Sequence, residues 1–142
     1  MTILEAITLV TGSASGAPLE LAEPLSFWGG FDALNGTIID RHHPQHGACL
    51  SGRILLMVAG RGSSSGSSVL AEAIRLKTAP AAIILQNRDA IVATGALVAH
   101  ELYGLACPVL LARPEDWPRL TQASSLQVDA TPVRGHIWLP SL

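Results

Sequence analysis

At 142 residues, with 49% hydrophobic and 14% charged side chains, the chain suits one domain over 1–142 whose core needs no covalent staples. Its formal net charge of −2 and singly scattered Lys and Arg exclude a nucleic-acid partner, and no apolar run approaches the ~20 residues of a membrane span. Cys49 and Cys107 are too few and too far apart for a disulfide framework or a metal knuckle, and with no secretory leader pattern the chain reads as cytoplasmic with reduced thiols.

Elements follow in chain order. Thr2 to Val10 reads as a β-branched strand broken at Thr11-Gly12-Ser13-Ala14-Ser15-Gly16, and Leu19 to Ala22 as its returning hairpin partner. Pro24 to Asp32 is a loop in which Phe27, Trp28 and Phe31 flank a glycine pair, followed by a turn at Asn35-Gly36. Thr37 to Asp40 is a short strand, Arg41 to Gly47 a polar loop with His42, His43 and His46, and Arg53 to Val58 the central strand. Val69, Leu70, Ala73, Ile74 and Leu76 recur at helical spacing after Gly66, and Thr78-Ala79-Pro80 ends that helix. Ala81 to Leu85 is a buried strand. Asp89 caps a second helix that stops at Gly104. Pro108 to Leu111 is strand-like, Pro114 to Trp117 a turn or single helical turn, and Leu126 to Ala130 with Val133 to Leu139 close the chain as strands. The order is β-rich at both ends with βαβαβ between, an α/β fold. The low charged share, against about 25% for ordinary soluble domains, points to a face covered by a partner chain or to a sheet buried on both sides.

The most informative stretch is Gly60-Arg61-Gly62-Ser63-Ser64-Ser65-Gly66-Ser67-Ser68. A strand that breaks on glycines and opens into a helix turns unpaired amides and small hydroxyls towards one point, a setting for an anion. A phosphate-cradling NTPase loop requires Lys-Ser/Thr after its second glycine, and Ser67 stands there. A dinucleotide fingerprint requires a third glycine where Ser65 stands. Gly62-Ser63-Ser64-Ser65-Gly66 does satisfy the nucleophile elbow of serine hydrolases, with Ser64 as nucleophile and Asp116 or Asp129, then His136, in the right chain order. A plain connecting turn is the remaining reading.

Ordered segments across nearly the whole chain carry a resemblance: Pro24 to Asp32, Asn35 to Pro44, Gly52 to Met57, Gly60 to Ser67, Thr78 to Ile84 and Cys107 to Leu110. Together they resemble the swivel domain of aconitase X. The resemblance implies a swivelling β/β/α fold, present in that family either as a C-terminal domain or as a separate small subunit. Beginning at Met1, the chain looks like the small subunit, with the aconitase X large subunit as partner. Family members are hydro-lyases that remove water from a 3-hydroxy carboxylate: bacterial ones act on cis-3-hydroxy-L-proline, giving pyrroline-2-carboxylate, and archaeal ones on mevalonate 5-phosphate. Iron, usually as an iron-sulfur cluster, sits in the large part, which agrees with two cysteines being too few to hold a cluster. Cys49 and Cys107 then read as buried core residues.

By the same resemblance the proton-abstracting base is the serine after Gly-x-Gly, here Ser63. Gly62, Ser64, Ser65 and Arg61 are expected to bind substrate beside it. True aconitases carry an arginine two residues after that serine, whereas this chain has Ser65, so hydroxyls and backbone donors replace a charge clamp, with Arg61 restoring part of the charge. Trp28 and Phe27 are candidates to wall a ring substrate or to pack in the core, and His43 to touch substrate or to make a local structural contact. His42 and His46 look peripheral, and His100 and His136 structural. No metal site is expected within the chain. Trp28 and the His-His-Pro segment look more like the bacterial version, which favours cis-3-hydroxy-L-proline; mevalonate 5-phosphate is the runner-up. A stand-alone non-catalytic binding module is the alternative from another class.

Overall fold

The structure, a computed structural model, describes residues 1–140. It opens with β1 (Thr2–Val10), β2 (Gly12–Gly16) and β3 (Pro18–Glu20), then an irregular helical turn α1 (Phe27–Gly30) and the hairpin β4 (Phe31–Asp32) and β5 (Thr37–Ile38). The centre alternates β6 (Ile54–Leu56), α2 (Gly66–Leu76), β7 (Ala82–Leu85), α3 (Ala90–Tyr103) and β8 (Val109–Leu111). A 3-10 turn (Pro114–Asp116), α4 (Trp117–Gln122), β9 (Leu126–Ala130) and β10 (Gly135–Leu139) complete it.

An eight-stranded mixed sheet runs β2-β9-β10-β1-β8-β7-β6-β3. Strands β3, β6, β7 and β8 are mutually parallel, while β8 to β2 pair antiparallel through β1, β10 and β9. β1 joins the halves: Thr2 to Ala6 pair with β10, and Ile7 to Val10 pair with β8 across a bulge between Thr8 and Val10. The two edge strands are adjacent in sequence, separated by Ala17 alone, so the sheet nearly closes on itself. At that seam Ile54 donates its amide to the Ala17 carbonyl at 2.9 Å, and a Cβ on Gly16 would come within 2.5 Å of the Gly52 carbonyl oxygen.

The parallel strands are continuous apolar runs because both their faces are covered. Leu55, Met57, Ile83, Leu85 and Val109 pack beneath α2 and α3, and Ile54, Leu56, Ala82, Ile84 and Leu110 point into the interior of the curved sheet with Leu4, Leu126, Val128 and Ile137. A sheet buried on both sides thus accounts for part of the high apolar content. Ile3 and Ile7 on β1, and Leu97 and Leu102 on α3, remain exposed. Among the described residues no helix is long and apolar enough to cross a membrane.

Helix α2 buries Leu70, Ala71, Ala73 and Ile74 and stops where Lys77 adopts a left-handed φ of 63°. Helix α3 is capped by Asp89, whose Oδ1 accepts the amides of Ile91 at 2.9 Å and Val92 at 3.0 Å. The helices cross closely because α3 offers Gly95: a Cβ there would lie 2.8 Å from the Ser67 carbonyl oxygen.

Four sequence expectations are corrected. Gly12–Gly16 is a strand rather than a break, because β9 supplies a full antiparallel register from Gly12↔Ala130 to Gly16↔Leu126. β3 forms no hairpin with β1 and runs parallel to β6 instead. The strand expected over Thr37 to Asp40 keeps only Thr37–Ile38. The turn at Pro114 continues into α4, which seals the open end of the sheet with Trp117 and Leu120.

Candidate functional site

The loops that follow β3, β6 and β7 all leave from the carboxyl ends of parallel strands, the edge of an α/β sheet where ligands gather. Between β6 and α2 the chain breaks at Gly60 and Gly62, the latter at φ 100°. Residues 61 to 65 are all exposed, while Gly66, the first residue of α2, is buried. In this loop Ser63 Oγ accepts the Ser65 amide at 3.2 Å. The Gly66, Ser67 and Ser68 amides turn back to the carbonyls of Ser63, Ser64 and Ser65 at 2.9, 3.1 and 3.2 Å. The amides of Gly62, Ser63 and Ser64 make no hydrogen bond among the described residues. The first turn of α2 contains no acidic side chain, so its positive end is not neutralised locally.

Two neighbouring segments hold this loop. On one side Arg61 donates its amide to the Leu25 carbonyl at 3.4 Å, and Gly62 packs so tightly on Ser26 that any Cβ would overlap its hydroxyl. Ser26 Oγ in turn donates to the Trp28 carbonyl at 2.9 Å, and the backbone of Trp28 lies against Gly66. The aromatic segment and the serine loop, 30 residues apart and more, therefore form one wall. On the other side the β7–α3 loop approaches: a Cβ on Gly60 would come within 2.5 Å of Asp89 Oδ2, and Ser67 Oγ donates to the Ile91 carbonyl at 2.7 Å. Ser26 and Asp89 are supports that motif reading missed. The βαβαβ order held the signal for Asp89, since consecutive parallel strands open their following loops on one edge.

The candidate residues divide into two groups. Gly62, Ser63, Ser64, Ser65 and Arg61 share the open edge with Trp28, which is 58% exposed. Arg61 reaches Asp40 at 3.5 Å. Phe27 and His43 stand behind them. Phe27 is 2% exposed and meets Phe31 edge-on at 5.2 Å. His43 is 4% exposed; its Nδ1 accepts the Gln45 amide at 3.0 Å and its Nε2 lies 3.0 Å from the Glu23 carbonyl oxygen. An amide can only donate to Nδ1, so the proton sits on Nε2 and donates to Glu23. Both ring nitrogens are engaged by backbone, which favours the structural contact over the substrate contact for His43. Phe27 likewise fills the core.

The hydrolase triad is not assembled. Asp116 is buried and accepts from Arg113 Nε at 3.1 Å, Asp129 accepts from Ser13 Oγ at 2.9 Å, and His136 lies tilted against Trp138 with ring centroids 5.8 Å apart. A metal or cluster finds no ligand set either: among the described residues no three His, Cys, Asp or Glu side chains converge. Cys107 is buried beside the Pro80 carbonyl, and burial pushes its thiol up to about 12. Cys49 departs from the expected buried core position. It is exposed on the loop after β5, where hydrogen bonding to the Ser51 side chain, then to its backbone, lowers its thiol pKa.

Comparison with known proteins bears on the family of the chain. The sequence profile of the aconitase X swivel domain matches residues 3–137. A cis-3-hydroxy-L-proline dehydratase of Pseudomonas aeruginosa is 48% identical over 135 residues, covering 88% of this chain and 23% of its own. A phosphomevalonate dehydratase small subunit of Methanothermobacter thermautotrophicus is 47% identical over 88 residues, covering 62% of this chain and 67% of its own. The chain thus spans under a quarter of the length of the hydroxyproline dehydratases it matches. Among solved structures, aconitase X of Thermococcus kodakaraensis in its holo-form superposes with TM-score 0.81 at 27% identity, covering 99% of this chain and all of that one. Profile, identity and fold converge: the chain belongs to the aconitase X swivel domain family.

Proposed function

We propose that this chain is the small subunit of a two-subunit hydro-lyase that dehydrates cis-3-hydroxy-L-proline to pyrroline-2-carboxylate, with Ser63 taking the proton beside the carboxylate. The observation that carries the substrate is the extent of similarity. Identity to the hydroxyproline enzyme is sustained over 88% of the chain, whereas the match to the phosphomevalonate small subunit covers 62%. Mevalonate 5-phosphate dehydration is the second reading, favoured by that relative's being a separate small subunit. In this reading a large subunit carrying iron or an iron-sulfur cluster completes the site; among the described residues no three His, Cys, Asp or Glu side chains converge to hold a metal.

The proposed chemistry of the chain's own residues follows from the loop. Removal of a weakly acidic proton needs a base, and the carboxylate that gains charge needs donors. Ser63 Oγ sits at the mouth of α2 beside the unpaired amides of Gly62, Ser63 and Ser64. An exposed helix end stabilises a nearby anion by about 0.3–1 kcal/mol, less than the 1.36 kcal/mol that moves a pKa by one unit. The open loop alone therefore leaves serine a poor base. A large subunit closing over the edge would expel water and raise the worth of those same dipoles several-fold.

The test is reconstitution of this chain with an aconitase X large subunit, assayed with cis-3-hydroxy-L-proline and with mevalonate 5-phosphate. Ser63→Ala is expected to preserve assembly and to lower kcat by at least about a thousandfold, on the scale of a lost general base and more. Near-normal turnover by that variant moves the base elsewhere. Turnover by this chain without a companion overturns the two-subunit reading, and labelling of Ser64 by a fluorophosphonate probe would revive the hydrolase.

A further inference from the structure

We propose that Arg88, on the β7–α3 loop, supplies the positive charge that holds the substrate's anionic group at the serine loop. The inference rests on the dehydratase reading and adds to it a specificity-determining residue in a different loop. Its starting point is a charge deficit at the serine loop itself: no cation follows Ser63 before Arg75, and Arg61 is engaged by Asp40 at 3.5 Å. Within this loop, unpaired amides and hydroxyls alone would face the negative charge.

Arg88 is placed to make good that deficit. It immediately precedes Asp89, whose Oδ2 lies against Gly60, so its loop abuts the serine loop directly. Arg88 is exposed and makes no hydrogen bond or ion pair among the described residues. Its acidic neighbour does not neutralise it, because Asp89 turns Oδ1 to the Ile91 and Val92 amides. An unpaired guanidinium beside two helix N-termini is a poor structural device, since like charge gathers there, and a good one for an incoming carboxylate or phosphate. Arg41 is also exposed without an acidic partner among the described residues, and its loop is tied to the serine loop through the Asp40–Arg61 pair.

The reconstituted pair tests this with Arg88→Gln, Arg88→Lys and, as a control, Arg41→Gln. Arg88→Gln is expected to raise KM about tenfold or more, as for a lost charge-assisted bond, with kcat within about twofold. Arg88→Lys should recover part of that loss, and Arg41→Gln should leave KM unchanged. The KM of the unaltered pair should rise more steeply with ionic strength than that of Arg88→Gln. A KM rise with cis-3-hydroxy-L-proline assigns the bound group as carboxylate; a rise confined to mevalonate 5-phosphate assigns it as phosphate. An active pair whose KM is unmoved by Arg88→Gln, or whose kcat alone falls, overturns the assignment of Arg88 and leaves the dehydratase reading intact. An unaltered pair inert towards both acids overturns both.

Discussion

The two cysteines show how far burial separates chemically identical side chains. Cys107 lies in the core beneath α3, while Cys49 stands exposed with its thiolate favoured by Ser51. A thiol reagent at mildly alkaline pH should therefore modify Cys49 in the native chain and reach Cys107 only after denaturation, as mass spectrometry of the labelled chain would show. The raised value at Cys107 carries a sign for stability. A thiol held neutral in the fold but free to ionise when unfolded contributes nothing below the unfolded value of about 8.5. Above it the unfolded state releases the proton first, and stability falls as pH rises towards about 12. Cys107→Ala should flatten that alkaline decline in urea melts recorded from pH 8 to pH 11. Sequence alone placed Cys107 and not Cys49: both were read as core residues, and Cys107 is buried, whereas Cys49 lies in a loop joined to β5 by an isolated bridge to Thr37, a contact with no periodic signature.

Elements with strong local signals were legible, and those defined by distant partners were not. β1 spans Thr2–Val10, and α3 begins at the Asp89 cap and ends at Gly104 in the left-handed conformation, because period, cap and stop agree with the tertiary packing. β2 is rich in Gly and Ser, which disfavour strands, and forms because β9 offers it a register. The serine loop was legible as a turn of special chemistry, and its link to Phe27–Trp28 through Ser26 and Gly66 was not, since only folding brings those segments together. Two substitutions measure how tightly the loop is held. Asp89→Ala removes a cap that serves two amides and should lower stability by about 1 kcal/mol in denaturant melts. Gly62→Ala combines a left-handed φ with overlap on Ser26, and should displace the loop enough to reduce turnover of the reconstituted pair while the melting midpoint shifts by only a few degrees. Unchanged turnover would show that the loop tolerates a new course.

At the scale of the molecule, the nearly closed sheet separates two tasks. Its parallel half builds the edge from which the serine loop, the aromatic segment and the β7–α3 loop project, and its antiparallel half packs a core with no part in that edge. β1 joins the halves on one side, and the seam between β2 and the β3–β6 pair brings them together on the other. Gly16→Val would drive a side chain into the Gly52 carbonyl and should cost about 2–3 kcal/mol, as overpacking against backbone does; a loss under about 0.5 kcal/mol would mean that the seam adjusts freely. The position of β1 has a consequence for how the chain is made. Its first residues are partnered by β10, with Thr2 opposite Leu139, so during synthesis Thr2 to Ala6 have no mate until β10 has been made. Such long-range pairing is slow to find, and a chain cut short before Gly135 leaves both β1 and β9 with an open flank, inviting association with other unfinished copies.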